Sequence, residues 1–152
     1  HPTLNGALRK ALPSSCAICC GDISDCKYSL CHDCIADLPW LSNQCQQCGV
    51  SLPDNHLCAN CQKRPPPFHC CLSAFAYDAP IDQIITRFKN NPQTTEIVQL
   101  AALSAQRITE EYERRQMEYP SIVIPLPLHW KKLTYRSFNQ SQIIARLLTS
   151  DI

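Results

Sequence analysis

The chain has 152 residues and is nearly balanced in charge, with 14 Lys and Arg against 13 Asp and Glu, while cysteine and proline each occur twelve times and glycine three times. A formal charge of +1 gives no global argument for nucleic-acid binding, so any such surface must be a local patch. No leader-like or membrane-spanning apolar run stands out, which points to the cytoplasm, and a chain that opens on His1 rather than Met leads us to expect a segment upstream.

In chain order, Leu4, Ala7, Leu8, Ala11 and Leu12 fall at helical spacing before Pro13, which predicts a short amphipathic helix over residues 4–12. Its brevity suits docking better than membrane anchoring. Four Cys-x-x-Cys pairs follow: Cys16/Cys19, Cys31/Cys34, Cys45/Cys48 and Cys58/Cys61. A gap of two residues turns both thiolates of a pair onto one ion, and two pairs close a tetrahedron with no position left for substrate, so two structural Zn²⁺ ions are expected. Sequential pairing, 16/19 with 31/34 and 45/48 with 58/61, closes each ribbon locally; an interleaved cross-brace stays open. His32 and His56 are alternative ligands, though eight thiolates already suffice for two ions. Gly21 and Gly49 stand just beyond the second cysteine of two knuckles, where positive φ lets N–H groups turn toward sulfur. Cys20, Cys26, Cys70 and Cys71 are left without a role. A disulfide scaffold is the rival reading, better suited to short secreted chains.

The first 64 residues bury too little to fold without metal. Pro65-Pro66-Pro67 then imposes extended backbone, and residues 65–71 read as a stiff linker, with an SH3-type ligand as the sharper alternative. Beyond it, Leu72 to Tyr77 is expected as a strand. Ile81, Ile84, Ile85 and Phe88 form the buried stripe of a helix. Thr94 or Thr95 is expected to cap a second helix whose inward face carries Ile97, Leu100, Ala101, Ser104, Ile108 and Tyr112 and which ends before Pro120. Ser121 to Pro125 reads as a strand buried on both faces of a parallel sheet. Asn139 and Gln142 resemble a capping pair for a final helix with Ile143, Ile144, Leu147 and Leu148. The order strand, helix, helix, strand, loop, helix points to an α/β layer architecture.

Nothing after Gly49 can wrap a phosphate as a P-loop or Rossmann turn does. The loop from Leu126 to Gln140 instead carries His129, Lys131, Lys132 and Arg136 at the carboxyl end of the expected strand, a plausible anion site beside the helix N-terminus at Asn139.

The string from Val123 through Pro125-Leu-Pro-Leu-His129, with Lys131-Lys-Leu and Arg136-Ser-Phe-Asn-Gln-Ser141, resembles the signature of the ComF/GntX family of phosphoribosyltransferase-like proteins. The four CxxC pairs resemble that family's double zinc ribbon, and Tyr77-Asp-Ala-Pro80 with Ile84 to Lys89 resembles its first strand and helix. The resemblance implies a double zinc ribbon over 1–64, the linker at 65–71, and at 72–152 the first part of an α/β type I phosphoribosyltransferase-like fold. It places Arg136, Asn139 and Gln140 near a phosphate or substrate site, with Lys131 and Lys132 around it and Lys89 as a further candidate. Ser137 stands where the family usually has glycine. The acidic strand and Thr/Gly-rich loop that hold phosphoribosyl pyrophosphate do not occur in these residues, so the resemblance implies a C-terminally truncated member. Mg²⁺ and the diphosphate substrate are expected in a full-length protein, and no catalysis from this fragment. Two functions follow: a phosphoribosyltransferase-family protein associated with DNA uptake and competence, or a zinc-ribbon adaptor that binds single-stranded DNA or a partner protein of DNA uptake. Trp40, Phe68, Trp130, Tyr135 and Phe138 are candidate stacking surfaces for the second.

Overall fold

A computed structural model of the chain describes residues 15–23, 29–54 and 56–150; the expected helix over 4–12 and Cys26 lie outside the described residues. Each ribbon starts as a knuckle closed by one antiparallel bridge, Ser15 with Asp22 and Gln44 with Ser51. Inside the knuckles the Cys16 amide donates to Gly21 O at 2.7 Å and the Cys45 amide to Val50 O at 2.8 Å. The left-handed residue of the second knuckle is Gly49, φ 73°, as the sequence suggests, but in the first it is Cys20, φ 60°, one position before Gly21. A Cβ at Gly49 would also be crowded, 3.2 Å from Cys71 O. The second half of each ribbon opens a one-turn helix, α1 (His32–Ala36) and α2 (Ala59–Lys63), and in each the N-cap is a cysteine whose sulfur accepts from the third residue on.

The proline-rich stretch lies against the second ribbon. Gln47 Nε2 donates to Pro66 O and Phe68 O, both at 3.4 Å, and Gln44 exchanges two hydrogen bonds with the backbone of Ser73. Residues 72–77 make a single bridge rather than the expected strand, Trp40 with Phe75, where Leu41 N–H donates to Ala74 O and Ala76 N–H to Pro39 O. The two rings pack at a tilt of 45° with centroids 4.5 Å apart.

Helices α3 (Ile81–Asn90) and α4 (Glu96–Arg114) follow the apolar periodicity of the sequence. α3 is entered through a cis Ala79–Pro80 bond. Neither threonine caps α4 with its side chain: Thr94 Oγ1 donates to Asn91 O and Thr95 Oγ1 to Glu96 Oε2, so both hydroxyls are otherwise engaged. The buried face of α4 is broader than the stripe expected, and α4 packs on both α3 and α6 (Gln140–Ser150). Leu103, Ala105, Gln99 and Glu111 are buried there beside Ile97, Leu100 and Ala101, while Ser104, Ile108 and Tyr112 are half-buried. The segment read as loop holds one more helix, α5 (Trp130–Arg136).

Ser121 to Pro125 corrects a second strand expectation. The run is irregular, and Ile122 and Ile124 are 72% and 82% exposed rather than buried on both faces. No strand lies beside it among the described residues, and Pro120, Pro125 and Pro127 each withhold a ladder donor. The described residues hold isolated bridges and helices, not a sheet, so the α/β layer is not visible in them.

One apolar cluster joins ribbon to helices. Leu38, Ile81, Ile84, Leu100 and Leu103 are buried together, and Ile18 and Ile35 of the first ribbon pack on them with Trp40, Phe75 and Ile85. Ile18 and Ile35 also pack against Cys16, Ile23 and Leu30 inside the ribbon, so the two clusters are continuous. Phe88, 1% exposed, extends this core toward Phe138, with ring centroids 5.9 Å apart. Phe88→Ala should cost about 3–5 kcal/mol of stability in denaturant unfolding of the zinc-loaded protein. A loss below about 1 kcal/mol would show that this ring does not hold α3 to the turn before α6.

Candidate metal centres and basic surface

The structure gathers the cysteines sequentially, Cys16, Cys19, Cys31 and Cys34 in one group and Cys45, Cys48, Cys58 and Cys61 in the other, with the four sulfurs of each group within 4.8 Å of one another. A tetrahedron with 2.3 Å arms sets its corners about 3.8 Å apart. Cys19 Sγ lies 3.7 Å from Cys31 Sγ, and Cys48 Sγ lies 3.7 Å from Cys58 Sγ, so both groups already have the spacing of a zinc shell. The two sites repeat one another bond for bond. Cys31 N–H points at Cys16 Sγ as Cys58 N–H does at Cys45 Sγ, and Cys34 N–H at Cys31 Sγ as Cys61 N–H does at Cys58 Sγ, all at 3.4 Å. Gly21 N–H adds a bond to Cys19 Sγ at the same distance. His32 and His56 are exposed and stand outside both groups.

These amides divide the thiols into two kinds. Burial opposes ionisation of Cys16, but N–H groups of Cys19, Cys31 and Ile18 outweigh it and bring the thiol down to about 6. Cys45 is likewise lowered to about 6, chiefly by the N–H groups of Cys48 and Cys58. Burial and the neighbouring sulfurs push Cys61 up to about 12 and Cys34 higher still. Each site therefore offers a ready thiolate, with a partner thiol that releases its proton to solvent when the metal binds. Zinc should be bound more tightly as pH rises through the neutral range, because Cys34 and Cys61 must lose protons. Affinity should fall more steeply below about pH 6, where Cys16 and Cys45 are protonated too. Competition with a chromophoric chelator across this range checks it; a pH-independent affinity would contradict the four-thiolate shells.

The candidate phosphate residues are partly brought together. Phe138 packs on Phe88, and Gln140 Nε2 donates to Lys89 O at 3.3 Å, so the end of α3 and the turn before α6 are neighbours. Asn139 is occupied at both ends of its amide: Nδ2 donates to Leu126 O and Oδ1 accepts from Ser141 N–H, each at 3.0 Å. It caps α6 and fixes the preceding loop. Gln142, the other half of the expected capping pair, is exposed. Lys89 Nζ lies 5.9 Å from the centre of the Tyr77 ring, and Lys131 Nζ lies 5.5 Å from that of Trp130.

The five aromatic candidates separate by burial. Trp40 packs tilted against Phe75 and donates Nε1–H to Ile35 O, and Phe138 packs on Phe88, so both serve the core. Phe68 is exposed, and α5 presents Trp130 and Tyr135 at 67% and 84% exposure. His129 initiates α5 by accepting from Lys131 N–H at Nδ1. Ser137 ends it at φ 63°, donating its N–H to Leu133 O at 2.7 Å. That is a left-handed position suited to glycine. Ser137→Gly should therefore raise stability by roughly 0.5–1 kcal/mol in thermal unfolding; a loss would show that the hydroxyl has a role of its own.

Sequence reasoning missed α5, and it missed an ion cluster at the end of α4. Glu111, buried, accepts from Arg114 Nη2 at 2.7 Å and Arg115 Nε at 2.9 Å, with Arg107 Nη2 at 3.7 Å. Hydrogen bonds from Arg114, working against burial and joined by those from Arg115, hold the carboxyl below its ordinary range. The i,i+3 and i,i+4 spacing of these charges was the available signal.

Residues 7–62 match the double zinc ribbon domain family, and with two four-cysteine sites in place the chain contains a double zinc ribbon. Its relatives are more particular. The chain is 28% identical over 139 residues to Competence protein F of Haemophilus influenzae, covering 88% of this chain and 58% of that protein. It is 23% identical to DNA utilization protein YhgH of Salmonella typhimurium and 22% to that of Escherichia coli K12, covering 90% and 91% of this chain and 61% of each relative. The chain thus spans about three fifths of the length of the curated relatives it matches. No solved structure matches it. Among the described residues no helix is long and apolar enough to cross a membrane.

Proposed function

We propose that this chain is the ribbon-bearing part of a cytoplasmic DNA-handling protein of the competence type, and that α5 is its contact with single-stranded DNA. The observation that carries the reading is the exposed face of α5, where Trp130 and Tyr135 stand in solvent beside Lys131 and Lys132. Exposed rings stack on any base, and adjacent cations track the phosphates, a combination that needs no sequence readout. Relatives named for DNA utilization and competence agree with it. The zinc ribbons are the scaffold in this reading, with ions enclosed by four sulfurs and no open coordination position.

A second reading rests on the Gln140 bond to Lys89 O, which sets Lys89, Asn139 and Gln140 around one turn close behind Arg136. In a longer protein these residues would border a phosphoribosyl pyrophosphate site. Mg²⁺ would accompany the diphosphate in such a protein, bound through substrate phosphates and one or two carboxylates. Calorimetry of the longer protein with the diphosphate and Mg²⁺ tests it, with a silent titration against it.

For the first reading, fluorescence anisotropy with a labelled thymidine oligonucleotide should show binding that weakens steeply with salt. The Lys131→Ala/Lys132→Ala pair should lower the log–log salt slope by about 1.4, two contacts at roughly 0.7 each. Trp130→Ala should cost about 1–3 kcal/mol. Salt-independent binding, or none at low salt, would remove α5 from this role.

A further inference from the structure

Two exposed aromatic rings of this chain each carry a lysine over the face. On α5, Lys131 Nζ stands 5.5 Å from the centre of the Trp130 ring. Before α3, Tyr77 is 65% exposed, and Lys89 Nζ from the last turn of that helix stands 5.9 Å from its centre. None of the readings above gives Tyr77 a part. The two pairs are joined by a short stretch of chain. α5 sets about 9 Å between Trp130 and Arg136. Two residues further on, Phe138 packs against Phe88, and Gln140 Nε2 donates to Lys89 O at 3.3 Å, so the turn that leaves α5 is fastened to the end of α3 that holds Lys89.

The charges along this path are of one sign. The arginines of α3 and α4 are neutralised, Arg87 by Glu96, and Arg107, Arg114 and, at the C-cap, Arg115 by Glu110 or Glu111. Lys89, Lys131, Lys132 and Arg136 have no carboxylate partner among the described residues. Lys132 and Arg136, four residues apart, share one side of α5. Asp78, next to Tyr77 in sequence, engages Oδ1 on the Ala79 N–H at 2.8 Å. A ring with an ammonium on its face meets a base and its phosphate together: the base takes the ring, and the flexible lysine stem carries the displaced charge to the phosphate. We infer that Tyr77 is a second base-stacking station, so that a single strand of DNA runs from Trp130 along α5, past Arg136, to Tyr77, with Lys89 on the phosphate beside it. This rests on the reading of α5 as a DNA contact and lengthens that site from one helix to a track with two stations. A single strand has the backbone freedom to turn from one helix to the next, whereas a duplex, its bases already stacked, has none to offer.

Fluorescence anisotropy of the zinc-loaded chain with a labelled thymidine tetranucleotide and dodecanucleotide tests the track. The dodecanucleotide should bind more tightly, because its contact with the second station is intramolecular once the first is made. Tyr77→Ala should weaken dodecanucleotide binding at least about fivefold and tetranucleotide binding less than about twofold, with zinc content and thermal midpoint unchanged. Tyr77→Phe, which keeps the ring, should bind as the parent chain does, and Tyr77→Leu, which keeps only apolar bulk, should behave as Tyr77→Ala. Lys89→Ala should lower the log–log salt slope for the dodecanucleotide by about 0.7. Dodecanucleotide binding that is weakened by Trp130→Ala but indifferent to Tyr77→Ala and Lys89→Ala would overturn the second station and leave the α5 contact standing. Tyr77→Leu binding as tightly as the parent chain would overturn the stacking role as well. No binding at low salt, or binding indifferent to Trp130→Ala and the α5 lysines, would remove both stations together.

Discussion

Four sulfurs held within 4.8 Å of one another are the constraint on which the rest of this structure depends. As thiolates they repel, and only a divalent cation at their centre makes the arrangement favourable. The compensation is large, about 10–16 kcal/mol for a structural zinc site near neutral pH. The ribbons have little else to fold with: among the described residues, the buried apolar cluster within the first is Ile23 and Leu30 around Cys16. The paired amides aimed at Cys16 and Cys45 show how the chain prepares for the ion, by steadying one negative charge per site in advance.

That local order reaches the helices through a few contacts. Ile18 and Ile35 face the ribbon cluster and the helical cluster alike, so a ribbon without metal would leave α3 and α4 with one wall missing. On the second ribbon, Gln44 grips Ser73, Gln47 grips the carbonyls of Pro66 and Phe68, and Arg115 reaches Gln46 O from the far end of α4. The proline-rich stretch is therefore fastened along its length. Ribbons and helices are one mechanical unit across these bonds.

What could be read from sequence was what depends on near neighbours. Cys-x-x-Cys spacing fixes a metal shell through chain geometry, and the stripe Ile81, Ile84, Phe88 declares a helix from one face alone. Strands do not declare themselves in this way, because a ladder needs a second strand: residues 72–77 found one bridge and 121–125 none among the described residues. α5 is too short for its periodicity to be seen, and its identity rests on the His129 cap and the Ser137 turn. Glutamate and arginine three and four residues apart on the last turns of α4 are a common surface pattern, so the burial of Glu111 could not be read from them. Glycine was a fair guide at Gly49 and a poor one at Gly21, because a chain with so few glycines places Cys20, Gln116 and Ser137 in left-handed turns.

The three prolines around Ile122-Val123-Ile124 have an effect beyond the fold of one molecule. An uncharged β-branched run in open solvent is the kind of segment that templates onto its own copies and grows into fibrils. Pro120, Pro125 and Pro127 bracket it so closely that a continuous cross-chain ladder is interrupted at either end. They act as gatekeepers, letting the protein carry a strongly apolar surface segment at working concentration without turning it into a seed for self-assembly.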